Sequence, residues 1–84
     1  MSNLERIQKI MKENFAFDAV SASSSLRSDL CLDSLDDCEL RMAIEEEFDV
    51  PVDDDLADKW LTVGDIEQFV KVAVADREMQ GGGA

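Results

Sequence analysis

From Asn3 to about Phe15 the apolar residues Leu4, Ile7, Met11 and Phe15 recur at steps of three and four, with Glu5, Arg6, Lys9, Lys12 and Glu13 between them. That period predicts an amphipathic helix with one buried stripe. From Ala16 to Asp33 the period is lost. The stretch is rich in serine and small residues, with Phe17, Val20, Leu26 and Leu30 spaced through it. A connection of this length without structure is unusual in a small domain, so it predicts a long first loop pinned by those four side chains, with room for one helical turn.

A second helix is predicted to begin at Ser34. Asp33 supplies the N-cap, and Asp36 and Asp37 place negative charge in the first turn, where the helix dipole favours it. Pro51 pushes Val50 out of helical geometry, which closes the helix near Phe48 or Asp49. Asp53 to Lys59 predicts a short acidic helix with Leu56 and Trp60 facing inward. Thr62-Val63-Gly64-Asp65 then has the form of an N-cap followed by its partner carboxylate. Val63, Ile66, Phe69, Val70 and Ala73 give the inward stripe of a last helix ending near Ala75 or Asp76. The expected fold is all-α: a small four-helix bundle of three main helices and one short one, with a long first loop. Residues 1–78 make one domain, and residues 79–84 a flexible glycine-rich tail.

The second helix differs from the others in carrying two apolar stripes. At about 100° per residue, Leu40, Ile44 and Phe48 fall on one side, and Leu35, Cys38 and Met42 nearly opposite. One stripe is enough to bury a helix in a small bundle. The second is interleaved with Glu39, Glu45 and Glu46, with Asp36 at its edge. An apolar strip edged by carboxylates is the pattern of a docking surface, in which apolar contacts supply affinity and charges supply approach. Scattered exposed apolar residues are also common on ordinary surfaces, so the helix alone leaves both readings level.

Charge sharpens this picture. The chain of 84 residues has a net charge of −12, and thirteen of its twenty acidic residues lie between Asp29 and Asp58 with a single basic residue, Arg41. Outside that segment seven acidic and seven basic residues balance. A local field of one sign steers basic partners to one face. With no histidine in the chain, Ser-His-Asp and Cys-His catalysis and histidine-ligated zinc are excluded. Cys31 and Cys38 are expected to be free thiols in a reducing compartment. No apolar run approaches the roughly 20 residues that cross a bilayer, and Met1-Ser2-Asn3-Leu4-Glu5 lacks the regions of a signal peptide, so a cytoplasmic protein is expected. The aspartates of 49–55 lack the glycine and glutamate of an EF-hand loop, and nucleic acid would meet like charge.

A serine after an aspartate at a helix start is usually only capping chemistry. Here Asp33-Ser34-Leu35 stands within Asp29-Leu30-Cys31-Leu32-Asp33-Ser34-Leu35-Asp36, followed by Glu45-Glu46-Glu47-Phe48-Asp49 and by Thr62-Val63-Gly64-Asp65-Ile66. At those spacings the chain, from Leu4 to about Val74, closely resembles an acyl carrier protein of the discrete, type II kind. The resemblance implies a carrier and not an enzyme; a monomer is expected, with no catalytic residue and no metal site beyond loose divalent-cation binding that relieves carboxylate repulsion. Its Ser34 would be modified by a phosphopantetheinyl transferase, using coenzyme A and magnesium, to bear a covalent 4′-phosphopantetheine. The arm would carry acyl groups as thioesters between enzymes of fatty-acid, polyketide or lipid-modifying biosynthesis. It further implies that Asp33, Leu35, Asp36, Glu39, Met42, Glu45 and Glu46 dock on basic patches of those enzymes, without membrane insertion or nucleic acid.

The chain departs from the family at Cys31, where glycine is usual, and at Arg41, where an apolar residue is common. The first leaves two alternatives, a loop that avoids positive φ or a strained one. For the second, a solvated arginine is expected ahead of one that selects an acidic partner. A competing function is an acidic helical decoy, mimicking nucleic acid or inhibiting a basic enzyme, in which Ser34 is dispensable. On either reading, so concentrated a charge should make the fold sensitive to screening. The melting temperature should rise from low to moderate salt and with magnesium, and a melting temperature independent of salt would show that repulsion is not limiting.

Overall fold

The computed structural model describes residues 2–82, and side chains as far as Arg77. Among the described residues there are four helices and no strand: α1 (Asn3–Phe15), α2 (Ser34–Phe48), α3 (Asp54–Ala57) and α4 (Val63–Gly82). α1 packs against both α2 and α4, and the core between them is wholly apolar. Ile7 and Met11 from α1, Leu40, Ile44 and Phe48 from α2, and Val63, Ile66 and Val70 from α4 are buried there. The expected stripes are therefore the ones that pack. Ile10 joins them because α1 faces two helices at once, which needs a wider apolar face than one stripe provides.

Local capping sets three of the four helix starts. The Ser2 hydroxyl accepts from the Glu5 N–H and the Glu5 carboxylate accepts from the Ser2 N–H, which opens α1. Asp33 and Asp36 exchange the same pair of bonds at 2.9 and 3.2 Å to open α2. Before α4 the Asp65 carboxylate accepts the N–H groups of Leu61 and Thr62 at 2.8 and 3.0 Å. The Thr62 hydroxyl accepts from the Asp65 N–H at 3.3 Å. α2 ends where the residues before Pro51 predict, with Asp49 left-handed at φ 54°.

The long first loop contains no helix, but the Asp29 N–H reaches the Ser25 carbonyl at 3.0 Å, one turn of helical spacing. Val20, Leu26 and Leu30 are buried and Phe17 half-buried, as their spacing predicts, and Leu32 is buried beside them. The loop's backbone is also stitched to the start of α4. Leu26 donates to the Leu61 carbonyl, Val63 to the Ser24 carbonyl and Gly64 to the Ala22 carbonyl, at 2.9, 3.1 and 2.8 Å. A Cβ on Gly64 would stand 3.0 Å from the Ala22 oxygen, so a side chain here would press on the bonded backbone of the seam.

Two expectations are corrected by the packing. Leu56 does not face inward: it is 40% exposed, and Ala57 packs on the core in its place. A helix of one turn presents only one residue to the bundle. Trp60 is buried, as expected, in an edge-to-face arrangement with Phe69, the ring centres 5.5 Å apart. α4 runs beyond Asp76 to Gly82, since Arg77-Glu78-Met79-Gln80 are helix formers with no breaker before the glycines. Gly83 and Ala84, the end of the tail expected to be flexible, lie outside the described residues.

Cys31 adopts φ 53°, so of the two alternatives its loop is the strained one. A left-handed non-glycine residue costs about 1–2 kcal/mol, offset in part by the extra freedom glycine has when unfolded. Cys31→Gly should therefore raise stability by about 0.5–1 kcal/mol in urea unfolding. A second outcome concerns Asp65, whose carboxyl is held below the ordinary aspartate value of 3.8 by the backbone N–H groups of Leu61 and then Thr62. Because the folded value is the lower one, its stabilisation is complete above the ordinary value and is lost as pH falls through the depressed one. Asp65→Asn should lower the melting temperature at pH 7 and flatten the acid limb of a stability–pH profile.

Candidate functional site

Ser34 is the first residue of α2 and is exposed. The reciprocal Asp33 and Asp36 bonds fix the chain on either side of it. They also occupy the N–H groups of residues 33 and 36, while the Asp37 N–H bonds the Asp33 carbonyl at 2.9 Å. The N–H groups of Ser34 and Leu35 have no partner among the described residues. A hydroxyl beside two unspent donors at the positive end of a helix is suited to a phosphate ester. Arg27, Asp37, Cys38, Arg41, Asp54, Ala57 and Asp58 line a shallow cleft of about 380 Å³ with Ser34, between α2 and α3.

The structure brings the other predicted site residues onto one side of α2. Leu35 is 75% exposed and Met42 59%, with Cys38 exposed between them. Leu40, Ile44 and Phe48 on the opposite side are all within 2% of full burial. Glu39 and Glu46 are exposed and Glu45 half-buried. Met42, Glu45 and Glu46 frame a shallow hollow.

Ion pairing divides the carboxylates of the acidic segment. All four arginines of the chain pair with it: Arg6 with Glu47, Arg27 with Asp37, Arg41 with Asp54 and Arg77 with Asp49. Arg6 also donates to the Glu47 carbonyl at 2.6 Å and lies 4.3 Å from the Phe48 ring centre. Arg77 donates to the Asp49 carbonyl at 3.3 Å. Two cations thus sit at the C-terminal end of α2, which has no basic residue in its own last turn, and there they oppose the negative end of its dipole. Glu39, Glu45 and Glu46 have no such partner among the described residues.

The sequence profile described as phosphopantetheine attachment site matches residues 5–70. The acyl carrier protein of Sinorhizobium fredii (strain NBRC 101917 / NGR234) is 49% identical over 73 residues, covering 84% of this chain and 94% of that protein. The chain belongs to the acyl carrier protein family. Acyl carrier protein AcpP of Rhizobium meliloti (strain 1021) matches the carrier to the same extent. Among solved structures, a putative acyl carrier protein from Mycobacterium tuberculosis superposes with a TM-score of 0.79 at 30% identity, over 84% of this chain and 97% of that one. The protein is therefore a carrier and not a catalyst, and its prosthetic group is 4′-phosphopantetheine. The decoy reading, which has no prosthetic group, is set aside.

Two residues of the carrier's cleft escape sequence reasoning. Arg41 is neither solvated nor free for a partner: its side chain is 24% exposed and its guanidinium is paired with Asp54, joining α3 to α2. Arg27 lies seven positions before Ser34 in a loop without periodicity, and nothing in the sequence places it at the serine. No helix among the described residues is long and apolar enough to cross a membrane.

Proposed function

We propose that Ser34 is the residue that bears the phosphopantetheine, and that the exposed side of α2 is the face presented to partner enzymes. The observation that carries this reading is an exposed serine hydroxyl at the first residue of α2 beside two unpartnered N–H groups, inside the segment matched as a phosphopantetheine attachment site. These residues fit the group: the hydroxyl supplies the ester oxygen, and the Ser34 and Leu35 N–H groups face the phosphate's charge. When bound, the group supplies a thiol that holds acyl chains as thioesters.

Ser34 has no base of its own. The chain lacks histidine, and the Asp33 and Asp36 carboxylates beside the serine are engaged with backbone N–H groups. Removal of the hydroxyl proton therefore falls to the transferase, with coenzyme A as donor. Asp33, Asp36 and Asp37 repel a phosphate lying along the helix, so the arm projects away from the acidic side. Leu35 and Met42 supply apolar contact, and Glu39, Glu45 and Glu46, with Asp33 and Asp36 at the corner, supply the field that orients a basic patch.

The carrier acts as a monomer in fatty-acid or related biosynthesis. Its two free cysteines accord with the reducing cytoplasm. After incubation with coenzyme A, magnesium and a broad-specificity phosphopantetheinyl transferase, intact mass should show one added phosphopantetheine on the wild type and none on Ser34→Ala, with unchanged circular dichroism. Addition to Ser34→Ala, or none to the wild type by a transferase active on another carrier, would sink the assignment.

A further inference from the structure

We propose that Arg27 is a positioning residue for the attachment corner, a role that rests on Ser34 being the modified serine. Its guanidinium makes two contacts that bracket the serine. Nη1 donates to the Leu32 carbonyl at 2.9 Å and Nη2 to the Asp37 carboxylate at 2.6 Å. Only Asp33, Ser34, Leu35 and Asp36 lie between those two anchors. Each anchor is itself tied down: the Leu32 side chain is buried and its N–H donates to the Leu26 carbonyl at 3.0 Å, while the Asp37 N–H donates to the Asp33 carbonyl.

The corner needs this brace. Cys31, immediately before Leu32, holds a left-handed conformation that a non-glycine residue adopts at a cost, and that cost falls if the turn opens. Opening would carry Leu32 and Asp33 away from α2 and dissolve the exchange of bonds between Asp33 and Asp36. A planar guanidinium donates in two directions at fixed spacing, which neither an amide nor a single ammonium reproduces. Arg27 also lies off the exposed strip of Leu35, Glu39, Met42 and Glu46, so its removal leaves the docking carboxylates in place. Its contribution is therefore to the geometry of the serine and not to the capture of the transferase.

The test compares wild type, Arg27→Gln, Arg27→Lys and Asp37→Asn as full chains, well below their melting temperatures. For phosphopantetheine transfer, Arg27→Gln should lower kcat about tenfold with KM for the carrier unchanged, since displacement of a reacting group costs rate more than binding. Arg27→Lys and Asp37→Asn should give smaller losses of the same kind. Without any transferase, amide exchange of Asp36 and Asp37 should speed up in Arg27→Gln while Ile44 and Val70 stay protected. The proposal is overturned by wild-type kcat and exchange in Arg27→Gln. It is equally overturned by a rise in KM alone, which would make Arg27 a docking contact, or by equal loss of protection at Ile44 and Val70, which would make it a general stabiliser. If the wild type is not loaded at Ser34, the attachment reading fails, and the exchange comparison still decides whether Arg27 braces the corner.

Discussion

The pairing of arginines with the central acidic helix is the interaction that positions α2 within this bundle. α2 must pack its apolar side against α1 although the segment around it carries all of the excess negative charge. It brings no cation to its own C-terminal turn. Three cations come from elsewhere: Arg6 on α1 and Arg77 on α4 meet its C-terminal end and Arg27 from the loop meets its first turn, while its own Arg41 ties it to α3. Each pair is partly exposed, and such pairs typically contribute about 0–1 kcal/mol. Their larger effect is on position. They hold the ends of one helix against α1, α4 and the first loop, and its middle against α3.

The same pairing divides the carboxylates along α2 into two sets. The carboxylates taken by arginines, Asp37, Glu47 and Asp49, stand at its ends, and Asp54 stands on the neighbouring helix. Those without an ion-pair partner among the described residues, Glu39, Glu45 and Glu46, interleave with the exposed Leu35, Cys38 and Met42. Opposite them Leu40, Ile44 and Phe48 are sealed in the core. A helix apolar on two sides would ordinarily be sunk deeper into a bundle. Here the bundle has too few elements to cover the second side, and the unpaired carboxylates keep it in water.

Features set by neighbours in sequence were legible before the structure. The caps at Asp33 and Thr62, the stop before Pro51 and the stripes of α1, α2 and α4 all rest on contacts within about one helical turn or on a helical period. What was not legible depends on residues distant in sequence. The pairing of Arg41 with Asp54 follows from how α3 lies on α2, and the placing of Arg27 follows from the path of a loop without period. Ala57 replaced Leu56 on the core because a one-turn helix has no stripe to read. Cys31 showed only that glycine was missing, and the backbone alone decides whether the position is left-handed.

The stitching of the first loop to the start of α4 has a consequence for how the chain is closed. The three backbone bonds from residues 22–26 to residues 61–64 join points about forty residues apart in sequence, and α2 and α3 lie wholly inside the ring they complete. Closing such a ring costs chain entropy that no local contact returns, so it waits on the packing of the helices within it. Once shut, the ring makes α2 an enclosed segment rather than a strut between free ends. A pull applied at its exposed N-terminal corner is then borne by α1 and α4 together, through the seam at one end and the two arginines at the other.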